Sequence, residues 1–182
     1  EWPTHVAGII PRKGERGRSD PYGTLAALAA QQQLPQRYDI LEVSADLRAR
    51  QRETVLERSA STTGDAAQRV RWLDRLPEDF QGVVFANEVL DALPTERFIV
   101  RGGEPRLLGV GAAAQGLQVC EQQAASDARA QSIAQRLGPL LRELPEGYVG
   151  ECCLAVGPWI AALAAALQRG VLLLIDYGLP RA

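Results

Sequence analysis

Asn87, Glu88 and Asp91 stand together in GVVFANEVLDALPTERF, residues 82–98, where an apolar run of strand character gives way to an amide and two acids. Two carboxylates around one small volume can clamp a guanidinium through paired, charge-assisted hydrogen bonds. Glu88 and Asp91, three positions apart, share one side if the run continues as a helix. Asp91 can equally cap or ion-pair locally, and Asn87 can simply satisfy backbone at the strand end. Two more acids hold comparable places: Glu42 follows YDIL and Asp176 follows VLLLI. Acids after strands are ordinary as caps and solvated loop residues. Three of them in one sheet add weight to a shared site at the strands' carboxyl ends.

Other chemistries find little support. His5 is the only histidine, which argues against a His-based triad, a His-rich metal site and imidazole acid–base catalysis. Cys120, Cys152 and Cys153 lack metal-ligand spacing and read as free thiols in a reducing compartment. No metal is expected. There is no Walker loop and no GxSxG. A net charge of -2 gives no broad attraction to nucleic acid or anionic lipid. No apolar run reaches membrane-spanning length, and no signal-peptide pattern opens the chain. The basic residues are almost all Arg, Lys13 being the one lysine, and no Met occurs even at position 1, so the chain reads as a processed or truncated segment.

The 182 residues suffice for one domain with a real core. Residues 1–22, rich in Pro, Gly, Arg and Ser, read as irregular or disordered. TLAALAAQQQ predicts a helix over 24–33, and YDILEV a strand over 38–43. Ser44 then caps a helix running to about Arg58, with Asp46 in its first turn. RVRWL (69–73) and GVVFA (82–86) are two further strands. After Pro94 the pattern turns β-rich: a hairpin at Gly102-Gly103, then a strand at GLQVC, then a helix near 131–143. GPWIAALAAALQRG predicts a helix with Pro158 in its first turn, Trp159, Ile160, Leu163 and Leu167 on one face, and Gly170 closing it. VLLLIDYG is the last strand. Apolar strands alternating with helices imply an α/β fold with a mostly parallel sheet. The stretch from Glu88 to Gly170 is too long for one crossover, so an inserted subdomain over about 95–154 is expected, as a substrate-binding cap or as a packing or dimer element.

YDILEVSADLRARQRETV, VRWLDRLPEDFQGVVFANEVLDALPTERF, GYVGECCLAVGPWIAALAAAL and RGVLLLIDYGLPRA resemble segments of the MidA-like family of S-adenosylmethionine (SAM) dependent methyltransferases. The resemblance runs from about Gly23 to Arg181, and NEVLDALP with LIDYG is its most specific part. It implies a class I, Rossmann-like domain over 23–182, incomplete at both ends, with the insertion between its fourth and fifth strands. It also implies a Gly-rich first motif of ExGxGxG type on a strand ahead of the first helix, where RGRSDPYGTLAAL stands and only Gly23 looks matched. Val43 replaces an expected Pro, and Cys152-Cys153 fall where the family is usually polar.

The resemblance implies SAM as cofactor and protein-arginine N-methylation as activity, with an arginine-bearing protein as partner. A truncated, inactive relative serving as a scaffold is the alternative. Gly23, Glu42, Trp72, Leu73 and Asn87 would bind cofactor, Glu42 through the ribose hydroxyls and Trp72 with Leu73 beside the adenine. Glu42 lies nineteen residues after Gly23, near the roughly twenty usual in nucleotide-binding βαβ units. Glu88, Asp91 and Asn87 would be catalytic, and Asp176 with Tyr177 would shape the substrate pocket. The resemblance implies a bacterial cytoplasm, or a mitochondrial matrix if the source is eukaryotic, and the Arg-heavy composition and missing targeting peptide favour the former.

Overall fold

A computed structural model describes residues 5–9, 21–62, 66–122 and 127–178. In chain order the elements begin with β1 (His5–Ile9), α1 (Pro21–Ala30), β2 (Arg37–Leu41), α2 (Ala45–Thr62), a 3-10 turn (Ala66–Arg69), β3 (Val70–Leu73) and β4 (Phe80–Asn87). A 3-10 turn (Leu90–Ala92) leads to β5 (Glu96–Arg101), β6 (Glu104–Ala113) and β7 (Gly116–Glu121). Then come α3 (Ala128–Leu137), a 3-10 turn (Gly138–Arg142), β8 (Val149–Cys152), α4 (Val156–Ala166) and β9 (Leu167–Ile175). Two compact units result: Glu1–Ala92 with Ile160–Ala182, and Leu93–Trp159. No helix among the described residues is long and apolar enough to cross a membrane.

The first unit is built on a parallel five-stranded sheet of order β3-β2-β1-β4-β9. The chain lays β2 and β3 on one side of β1, then crosses to place β4 and β9 on the other. The order therefore reverses at β1 and β4, the switch point where such sheets open a crevice at their carboxyl ends. Burial of Tyr38 and Ile40 in β2 is complete, as expected of a strand covered on both faces. They pack with Leu25 of α1, Val55 of α2 and Val70 of β3 into one core cluster. Asp39, also fully buried, is matched by Arg37 Nε at 2.9 Å and by Arg71 Nε at 2.9 Å. Arg71 is its register partner on β3. Ser44 caps α2 as expected, its Oγ accepting the Leu47 N–H at 3.3 Å.

The structure corrects the sequence reading in three places here. Residues 5–9, read within an irregular 1–22, form the central strand; the rest of that stretch up to 20, where the Gly-rich motif is expected, lies outside the described residues. Five residues with Ala7-Gly8 in the middle carry little strand signal. Gly8 earns its place by contact, since a Cβ there would stand 3.2 Å from the Phe85 ring and the Tyr38 hydroxyl. Gly170 does not close a helix: α4 ends at Ala166, and Gly170 lies in β9 opposite Gly82. Both have φ 149°, and a Cβ on Gly170 would fall 1.8 Å from the Gly82 carbonyl oxygen. Third, no α-helix follows β4. Glu88 is left-handed (φ 52°) and only the three-residue turn Leu90–Ala92 comes after it, so Glu88 and Asp91 have no helical face to share.

The second unit is an antiparallel sheet of order β7-β6-β5-β8. Gly102 (φ 58°) and Gly103 (φ 76°) make the two-residue hairpin turn, both left-handed as a twisted hairpin requires. Ile133 of α3 packs on Phe98, Val100 and Leu107, with Leu141 and Cys152 completing the core. The expected helix over 131–143 is shorter and earlier: α3 stops at Leu137, where Gly138-Pro139 tightens the chain into its 3-10 turn. Asp127 caps α3 through the Arg129 N–H at 2.9 Å, and the Arg129 guanidinium holds its carboxyl below the usual range. Burial pushes the Cys152 thiol up. β8 is a strand that the sequence pattern did not reveal; Gly150, at its middle, leaves room for the Phe98 and Tyr148 rings.

Candidate functional site

Glu42, Glu88 and Asp176 each sit one residue beyond a parallel strand of one sheet, so all three occupy its carboxyl edge. They fall into two clusters on either side of β1, whose supporting strands β2 and β4 are about 10 Å apart at the usual inter-strand spacing.

The first cluster lies at the ends of β2 and β3. Glu42 is buried, with 1% exposure. Its Oε1 accepts the Ser44 N–H at 2.8 Å and its Oε2 accepts from Gln51 Nε2 at 3.2 Å. Gln51 in turn accepts the Trp72 indole N–H at 2.9 Å. Arg48, on α2, spans both strand ends. Its Nη2 donates to the carbonyls of Glu42 (2.8 Å) and Leu73 (2.9 Å), and its Nη1 to Asp74 Oδ1 at 2.6 Å. The Arg52 guanidinium lies 5.2 Å from the centroid of the Trp72 ring. A groove of about 510 Å³ opens along residues 72–78, within the range of small-molecule sites. Gly23 stands inside α1 with open space where a Cβ would be, so the fold itself does not demand glycine there.

The second cluster joins the ends of β4 and β9. The Glu88 N–H donates to the Ile175 carbonyl at 2.7 Å, extending the strand pairing by one residue. Asp176 Oδ2 accepts from the amides of Leu90 (2.9 Å) and Asp91 (3.3 Å), and its Oδ1 from the Tyr177 amide at 2.9 Å. The Tyr177 hydroxyl donates to Asp91 Oδ2 at 2.6 Å. Asn87 and Glu88 are half-buried, and their side chains make no hydrogen bond or ion pair among the described residues.

The structure thus brings Asp91, Asp176 and Tyr177 together around the Glu88 backbone, and Glu42 together with Trp72 and Leu73. Sequence reasoning missed Arg48, Gln51 and Asp74. Arg48 and Gln51 fall on an unremarkable polar helix, and each gains its role by joining Glu42 to residues at the end of β3 more than twenty positions away. Asp74, directly after β3, shows the same acid-after-strand signal as Glu42. No metal-ligating cluster occurs among the described residues.

Residues 22–182 match a family described as "putative S-adenosyl-L-methionine-dependent methyltransferase". Two crystal structures from Burkholderia thailandensis are similar across 98% of this chain. One, of an uncharacterized superfamily protein, is 36% identical with a TM-score of 0.78; the other, of a member of the same superfamily bound to S-adenosyl-homocysteine, is 35% identical with a TM-score of 0.76. The chain spans 44% and 43% of the lengths of those two proteins. No curated protein matches it.

Proposed function

The chain belongs to this family of S-adenosyl-L-methionine-dependent methyltransferases, and from that premise we propose that it methylates the guanidinium of an arginine in a protein substrate. SAM supplies an electrophilic methyl group on a sulfonium; positioning and proton removal fall to this chain's residues. The residues present fit such a cofactor. Glu42 already accepts one hydrogen bond at each carboxylate oxygen and keeps a second lone pair at each for the ribose hydroxyls. Its burial means that the sugar enters only as the neighbouring groups part. Trp72 and Leu73 border the groove along 72–78 and would flank the adenine, the face of Trp72 opposite Arg52 being the one to stack. Gly23, with nothing where its Cβ would be, leaves room for a ligand to approach α1. Asn87, at the end of β4, would donate to the carboxylate of the cofactor's amino-acid part.

One observation carries the catalytic assignment. Of the three acids in the β4–β9 cluster, Glu88 is the one whose side chain makes no hydrogen bond or ion pair among the described residues, and it stands on a left-handed backbone that a non-glycine residue rarely adopts. A carboxylate held so can accept hydrogen bonds from a guanidinium, orient one nitrogen toward the methyl group and receive the proton that nitrogen loses. Asp176 and Tyr177 would border the substrate. Asp91, bonded to Tyr177, would act on the turn rather than on the guanidinium. The extent of the family match does not favour the scaffold alternative. The test is transfer of radiolabelled methyl from SAM to arginine-containing peptides. Glu88→Gln is expected to lower kcat by about 100-fold or more while S-adenosyl-homocysteine binds within about threefold of the parent. Equal transfer rates for the two chains would refute the role.

A further inference from the structure

Glu88 is bracketed on both sides by contacts from the end of β9. Ahead of it, its own N–H is tied to the Ile175 carbonyl at 2.7 Å. Behind it, one oxygen of Asp176 takes the successive amides of Leu90 and Asp91, the donors that open a 3-10 turn. The other oxygen takes the Tyr177 amide, and the Tyr177 hydroxyl returns to Asp91 Oδ2, closing a ring of contacts between two chain segments more than eighty positions apart. The ring encloses the one residue of the cluster with φ 52°. A non-glycine residue keeps such a conformation only where its surroundings over-determine it. An extended Glu88 would carry residues 89–91 onward along the strand direction, away from Asp176.

The geometry points to Asp176, with Tyr177 and Asp91, as a positioning clamp that holds Glu88 left-handed and so aims its carboxylate at the methyl acceptor. The aim at the acceptor rests on the reading of Glu88 given above; the clamp itself does not. Asp176 does most of the holding, because its half-buried carboxylate joins three backbone amides, whereas the Tyr177 and Asp91 side chains are both exposed and compete with water. The acids at 91 and 176 thereby act through the backbone, and neither touches substrate to do so.

The experiment compares Asp176→Ala and Tyr177→Phe with the parent by three readouts. Three-bond amide–α-proton couplings report φ at Glu88, amide hydrogen exchange reports the bonds at Leu90 and Asp91, and steady-state methyl transfer to the arginine peptide separates kcat from KM. Asp176→Ala is expected to shift the Glu88 coupling toward an extended value, speed exchange at both amides by about tenfold or more, and lower kcat by about tenfold, with KM for SAM within about threefold. Tyr177→Phe removes one exposed hydrogen bond without threatening the fold, and is expected to speed exchange at Asp91 and lower kcat, each by about threefold. Couplings and exchange unchanged in Asp176→Ala overturn the clamp. Should that variant not fold, unchanged exchange and kcat in Tyr177→Phe overturn it instead. A parent that binds S-adenosyl-homocysteine but methylates no peptide contradicts the arginine reading, and the coupling and exchange arms still decide the clamp.

Discussion

Arg48 makes three hydrogen bonds with one guanidinium: to the carbonyl after β2, to the last carbonyl of β3, and to the carboxylate of Asp74. A planar fork can reach all three; an ammonium or a thioether cannot. Arg48→Met is therefore expected to lower stability by about 2–3 kcal/mol, read from the urea midpoint, because two partly buried carbonyls lose a charged donor. The same variant should weaken S-adenosyl-homocysteine binding by about tenfold, since the two strand ends that would border the nucleoside are no longer tied. Unchanged binding in a folded Arg48→Met chain would remove the tie from the account of the site. Glu42, Glu88 and Asp176 were legible in the sequence because each follows an apolar run and marks where a strand stops. The roles of Arg48 and Gln51 were not, because nothing local distinguishes them from the other polar residues of α2. The backbone of Glu88 was equally hidden: glutamate carries no preference for φ 52°, and the contacts that impose it come from residues 175–177.

Among the elements, β9 depends on a close approach that a single residue allows. Gly82 and Gly170 face each other across the β4–β9 pairing, where a Cβ on residue 170 would overlap a carbonyl oxygen. Backbone, unlike a flexible side-chain end, cannot yield cheaply to such an overlap. Gly170→Ala is expected to cost about 2–4 kcal/mol in denaturant unfolding, through strain at φ 149° and loss of local pairing. Gly178→Ala, with open space around its Cα, should stay within about 0.5 kcal/mol. A neutral Gly170→Ala would mean that the two strands pair in a different register. The sequence pattern placed β2, β3, β4 and α2 within a few residues because their apolar runs and the Ser44 cap are local signals. It misread Gly170 because a glycine after an Ala-rich run resembles a helix stop. It missed β1 because five residues containing Ala and Gly depend for their strand on the neighbours β2 and β4 rather than on propensity.

For the whole molecule, the order β3-β2-β1-β4-β9 brings to one edge the acids that the chain scatters over more than 130 positions. Alternating strands and helices announced a parallel sheet, and the long gap before β9 announced an insertion; the division at Leu93–Trp159 follows from that second core closing on itself. This edge is expected to bind a sulfonium nucleoside through Glu42. Calorimetric titration of S-adenosyl-homocysteine into the chain tests it most directly. Saturable heat is expected from the parent chain and from Glu88→Gln, with a loss of about tenfold or more in affinity for Glu42→Ala, as removal of a charged acceptor for two hydroxyls predicts. No heat from the parent at millimolar ligand, or equal affinity for the parent and a folded Glu42→Ala chain, would contradict it.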